Sequence, residues 1–138
     1  MGEYDLLGGP SILLVEDHPF QLIGLELQLN RMGFFRLTPA LNCHEALAII
    51  REGRRFDLLL CDQYLPDGKG VDLIKDAYEL NSIRHAILLS GIDDRLTLER
   101  LLLTAQLRGL PLLASLSKPL SSQEYLKAVD RLYEARTC

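Results

Sequence analysis

The stretch FDLLLC, residues 56–61, ends on Asp62. A short apolar run of this kind reads as a parallel strand buried on both faces. A second run, ILLV at 12–15, delivers Glu16 and Asp17 in the same way. In an open α/β sheet, ligand chemistry gathers at the carboxyl ends of the strands. Two acidic strand ends that meet in space would make a site for a hard cation and a phosphoryl group.

Working outward from these runs, strand-like and helix-like segments alternate. The first strand is placed at 11–15. Pro19 then stands where a first helical turn tolerates it. The apolar positions Phe20, Ile23, Leu27 and Met32 continue at helical spacing, and Gly33 is the stop. FFRLT (34–38) reads as a second strand. Asn42 with Glu45 resembles a capping box that opens a helix to about Gly53. After the third strand comes a turn-rich loop, QYLPDGKG at 63–70, and a helix over 71–80. AILLS (86–90) is the fourth strand, 92–108 a long helix ending at Gly109, and PLLAS (111–115) the fifth strand. Ser121 with Glu124 caps a last helix to about residue 135. The pattern is (βα)5, which implies a doubly wound parallel sheet covered on both faces. In the flavodoxin-like order 2-1-3-4-5, the first and third strands lie side by side and bring Glu16 and Asp17 to Asp62.

Composition agrees with one soluble domain. The chain has 138 residues, 25% of them charged and 48% hydrophobic. The expected division is an N-terminal extension over 1–10 and a single domain over 11–136. A net charge of −4 argues against direct contact with nucleic acid. No apolar run approaches a membrane span, and the acidic opening MGEYDLLGGP lacks a secretory n-region. Cys43, Cys61 and Cys138 have no metal-type spacing and read as free thiols in a reducing, cytoplasmic setting.

The chemistry of the acidic cluster is that of phosphoryl transfer. Crowded carboxylates repel one another and are relieved by a divalent cation or a proton. A carboxylate beside Mg2+ can attack phosphorus and carry an acyl phosphate. The new oxygens then need a cation and a hydroxyl donor. Ser90 closes the fourth strand and Lys118, before Pro119, follows the fifth.

At these residues the chain resembles the receiver domains of two-component response regulators. The matching positions are Glu16-Asp17-His18-Pro19, Asp62, Pro66 and Gly70, Ser90-Gly91 and Lys118-Pro119. The resemblance implies that Asp62 is the phosphoacceptor, with Lys118 and Ser90 holding the phosphoryl group. It implies Mg2+ bound by Asp17, Asp62 and the backbone carbonyl of Tyr64, with Glu16 assisting. It implies a sensor histidine kinase or phosphotransfer protein as donor, a fused or separate output domain, and no turnover of any external metabolite. The long fourth helix followed by LLASLSKPL (112–120) also resembles receivers fused to EAL-type cyclic-di-GMP phosphodiesterases.

Two features depart from the family's pattern. Ser115 stands where an aromatic switch residue is usual, so activation needs another route to the output surface. The segment 92–110 is long and rich in leucine. It reads either as a helix with a broad core face or as an apolar surface for a homodimer or an output domain. A pseudo-receiver that docks without being phosphorylated is the competing function. A phosphohydrolase with an aspartate nucleophile is disfavoured by Tyr64, where a second aspartate would stand. His18 reads as the start of a helix rather than as a ligand, and the side chain of Tyr64 as a cover over Asp62.

Overall fold

The computed structural model describes residues 9–91 and 95–137, with side-chain burial described as far as Leu132. The expected N-terminal extension, apart from Gly9 and Pro10, and the expected helix start at 92 fall outside these residues. Five parallel strands form one sheet: β1 (Ile12–Val15), β2 (Leu37–Ala40), β3 (Phe56–Asp62), β4 (Ile83–Ser90) and β5 (Leu112–Ser117). Their order is β2-β1-β3-β4-β5, the doubly wound order expected. The helices are α1 (Pro19–Arg31), α2 (Cys43–Arg51), α3 (Gly70–Glu79), α4 (Arg95–Leu107) and α5 (Ser122–Thr137).

Strand alternation divides the core in two. Leu13 and Val15 of β1 face a cluster with Ala46 and Ile50 of α2, Leu73 and Ile74 of α3, and Ala105 of α4. Ile12 and Leu14 point the other way, onto Leu22, Leu25 and Leu29 of α1 and Tyr125 and Val129 of α5. This is why β1 and β3 read as continuous apolar runs: neither face meets water. The expected caps form. Asn42 Oδ1 accepts from the Glu45 amide at 2.8 Å, and Ser121 Oγ from the Glu124 amide at 3.3 Å.

Several boundaries differ from those expected. The second strand lies at Leu37–Ala40, not 34–38. Gly33 turns the chain at φ +95°, and Phe34 drops into the core, edge-on to Tyr125 with ring centroids 5.3 Å apart. The strand that follows is an edge strand, which is why it tolerates Pro39. Helix α1 seats one of its two apolar rows on the sheet. Leu22, Leu25 and Leu29 are buried, whereas Phe20, Ile23 and Leu27 are 89%, 54% and 52% exposed. Both sets have helical spacing, so periodicity alone does not choose between them. β4 starts at Ile83, because Phe56 and Leu58 of β3 pair with Ile83 and His85 despite the polar Arg84-His85. β5 runs to Ser117, past the expected Ser115. The loop after β3 carries a short antiparallel hairpin, Tyr64–Leu65 against Gly68–Lys69, turned by Pro66 and Asp67.

Candidate functional site

Strand register assembles the site. Val15 is level with Cys61, so Glu16 and Asp17 emerge beside Asp62. Asp62 is level with Leu89, one residue before Ser90, and Ser90 is level with Ser117, one residue before Lys118. The five residues singled out in the sequence therefore meet at one edge of the sheet. Asp17, Asp62, Ser90 and Lys118 line a common cavity of about 270 Å3 together with Tyr64 and His18.

Lys118 is the hub. Its amide donates to the Ser90 carbonyl at 2.8 Å, and its peptide bond to Pro119 is cis. Its ammonium reaches back across the sheet to Glu16 Oε2 at 2.7 Å and to Asp62 Oδ1 at 2.8 Å. The second contact is a charge contact rather than a well-angled hydrogen bond. Gln21 Oε1 lies 3.4 Å from the same ammonium. Glu16 and Asp62 are only 2% and 3% exposed, so these charges are set in a poorly solvated place.

That setting splits the two acids. Burial pushes Asp62 up, and the neighbouring Glu16 adds to the effect; Lys118 opposes it, leaving Asp62 at about 7. Burial also pushes on Glu16, but hydrogen bonding with Lys118 and Asp62 and the His18 amide at 3.1 Å outweigh it, so Glu16 lies below the ordinary carboxylate range. Burial disfavours the Lys118 charge, yet its two carboxylate partners hold it above the ordinary lysine value. Near neutral pH, Asp62 is thus poised between its acid and its base form. A divalent cation would compete with that proton.

The surroundings hold Asp62 in place. The Gln63 amide donates to the Leu89 carbonyl at 2.8 Å, and Gln63 Oε1 accepts from the Val71 amide at 3.0 Å. Gly70 packs directly on the Asp62 backbone: a Cβ there would lie 2.3 Å from the Asp62 carbonyl oxygen. Tyr64 is half exposed at the rim of the cavity. His18 precedes the first turn of α1, as expected, but its Nε2 also sits 3.8 Å from Asp17 Oδ2. One ligand atom each from Glu16, Asp17 and His18 fall within 4.8 Å of one another. Ser115, at the usual aromatic position, lies in β5 opposite Leu88 with its hydroxyl buried and without a hydrogen bond among the described residues. Gln21 stands one helical turn after Asp17 and Gln63 directly after Asp62, but a lone glutamine carries no signal of its own in a sequence.

Comparison with known proteins agrees with this arrangement. Residues 12–130 match the family model of the response regulator receiver domain. The chain is 26% identical over 126 residues to the cyclic di-GMP phosphodiesterase RocR of Pseudomonas aeruginosa, covering 91% of this chain and 32% of that protein. It is 25% identical over 126 residues to the two-component response regulator ARR22 of Arabidopsis thaliana, covering 91% of this chain and 84% of that one. It thus spans about a third of the first relative and most of the second. A solved N-terminal domain of a response regulator/sensory box/GGDEF 3-domain protein from Carboxydothermus hydrogenoformans matches with a TM-score of 0.73 at 25% identity, covering 93% of this chain and 99% of that one. The match over residues 12–130, on a fold whose strand ends gather Glu16, Asp17, Asp62, Ser90 and Lys118, means that the chain belongs to the receiver-domain family of two-component response regulators.

Proposed function

We propose that this receiver is a phosphorylation-controlled switch with Asp62 as its acceptor. The observation that carries the reading is the buried Asp62 carboxylate, met at 2.8 Å by the Lys118 ammonium and flanked by Glu16. A sensor histidine kinase or a phosphotransfer protein supplies the phosphoryl group. An Asp62 oxygen forms the new bond to phosphorus as the bond to the donor's histidine nitrogen breaks. Lys118 pairs with the phosphoryl oxygens, and the Ser90 hydroxyl donates to one of them. The domain works on its own Asp62 and on no external metabolite.

The donor set fits Mg2+. Glu16, Asp17 and Asp62 offer hard carboxylate oxygens, and the Tyr64 carbonyl adds a neutral one. When bound, the cation supplies positive charge that offsets the crowded carboxylates and the incoming phosphoryl group. Release of Asp62 from its proton is the part this chain plays in admitting it. A receiver that only docks would not need two buried acids joined by a half-buried lysine, so we favour the switch over that reading.

Kinship with RocR makes a cyclic-di-GMP phosphodiesterase of the EAL type the first output domain to test, fused or separate. A homodimer through residues 92–110 is supported by Leu96, Leu103 and Leu107, which stay exposed on α4 while Leu98 is buried. Such a switch would work in the cytoplasm; among the described residues, no helix is long and apolar enough to cross a membrane. The decisive experiment is intact mass after treatment with a small phosphodonor and Mg2+, with Asp62→Asn as control. A phosphoryl adduct on the wild type alone is expected, and its absence would sink the switch.

A further inference from the structure

A second polar cleft lies at the other end of the sheet, where β2 and β3 begin. It has a volume of about 320 Å3. Arg36, Arg54, Arg55, the hydroxyl-bearing Ser11 and Thr38, and the 64% exposed ring of Phe35 line it. The three arginines arrive from two separate connections, one before β2 and one before β3. Two are held in position by neutral partners. Arg36 Nη1 donates to the Gly9 carbonyl at 3.2 Å. Arg54 Nη2 donates to Thr38 Oγ1 at 3.0 Å, and its guanidinium carbon lies 5.2 Å from the centre of the Phe56 ring. A guanidinium has five N–H donors, so each keeps most of its donors for something else.

Charge makes the cleft unusual in this chain. The protein is acidic overall, with a net charge of −4, yet among the described residues no carboxylate pairs with Arg36, Arg54 or Arg55. The nearby acid, Asp57, is already engaged: Asp57 Oδ2 accepts from the Ser11 amide and hydroxyl at 2.9 and 3.1 Å, and Oδ1 lies 3.9 Å from Arg84 Nε. Three guanidiniums that no carboxylate pairs among the described residues, two of them preset, suit a ligand with several clustered oxygens and negative charge. We propose that this cleft is a binding site for a small phosphate-bearing anion, held by Arg36, Arg54 and Arg55 at the end of the sheet away from Asp62. Phe35 gives the ligand an apolar wall.

The test is a titration of inorganic pyrophosphate into the isotope-labelled full chain, without divalent cation and at ionic strength held constant with KCl. Saturable amide shifts are expected at Ser11 and over residues 35–38 and 54–56. Arg54→Gln with Arg55→Gln should weaken binding by about tenfold or more, as loss of charge-assisted contacts does. Arg55→Gln alone, at an exposed position with no ion pair among the described residues, should weaken it several-fold and leave Tm unchanged. Shifts that never saturate, shifts centred on Glu16, Ser90 and Lys118, or an unchanged affinity in Arg55→Gln would each overturn the proposal.

Discussion

Glycine to alanine should have opposite effects at two positions of this fold. At Gly70, the first residue of α3, an added Cβ would lie 2.3 Å from the Asp62 carbonyl oxygen and 2.7 Å from Leu88 Cδ2. Ordinary contact begins at 3.4 Å, so the deficit against the oxygen is about 1 Å. The Leu88 methyl can rotate away, but the carbonyl belongs to a buried strand and cannot. Overpacking of this kind costs roughly 1–3 kcal/mol, and a backbone obstacle puts Gly70→Ala at the upper end. At Gly24, inside α1, nothing lies within 4 Å of the added Cβ. There, alanine removes conformational freedom from the unfolded chain and should stabilise by about 0.5–1 kcal/mol. The two variants should therefore differ by roughly 3–4 kcal/mol in urea unfolding of the full chain at 25 °C, with unchanged m values. In thermal unfolding the gap is on the order of 10 °C for a domain of this size. Gly70→Ala within about 0.5 kcal/mol of wild type would refute the reasoning. Should Gly70→Ala also slow labelling of Asp62 by a phosphodonor, the displaced carbonyl accounts for it.

Three further perturbations act on the acidic edge itself. The Asp62 pKa rises from 3.8 to about 7 on folding, so its contribution is fully present below the unfolded value and is lost as pH climbs through 7. Asp62→Asn should accordingly gain stability relative to wild type between pH 5 and pH 8, by up to a few kcal/mol at ~1.4 kcal/mol per unit; a difference independent of pH contradicts this. Lys118→Met leaves Glu16 and Asp62 buried without their cation and should cost about 3 kcal/mol at pH 8, less at pH 5 where Asp62 takes up a proton. Equal losses at both pH values, read by urea unfolding, would mean that the ammonium acts through packing alone. If the Tyr64 ring limits water at the site, Tyr64→Asn should lose a phosphoryl group from Asp62 faster than wild type, and equal rates of adduct decay would end that idea.

What the chain discloses before folding depends on how many faces an element buries. β1 and β3 are covered on both sides, so ILLV and FDLLLC announce themselves, and with them Glu16, Asp17 and Asp62. Ser90 and Lys118 follow because parallel register carries strand ends to one edge. β2 buries less and sits at an edge; its start is illegible because Phe34 is a core residue of a turn, not of a strand. α1 carries two apolar rows of equal spacing, and only its seating on Ile12 and Leu14 selects Leu22, Leu25 and Leu29. The arginine cleft is illegible for a different reason: the 2-1-3 strand order can be expected from the alternation, but it does not say that Arg36 of one connection and Arg54 and Arg55 of another turn toward one cleft.

The position of Pro39 within β2 bears on how the protein stays dispersed. β2 ends the sheet, and a strand there offers its outward amides to any other chain with an open edge. Arg36 and Ala40 turn their carbonyls inward, to the amides of Ile12 and Glu16. By alternation, residue 39 faces outward. Proline has no amide hydrogen to give, so an incoming strand meets a gap in the ladder at the middle of a four-residue edge. A valine at position 39 would restore the missing donor and add a β-branched side chain, converting this end of the sheet into a template for self-association.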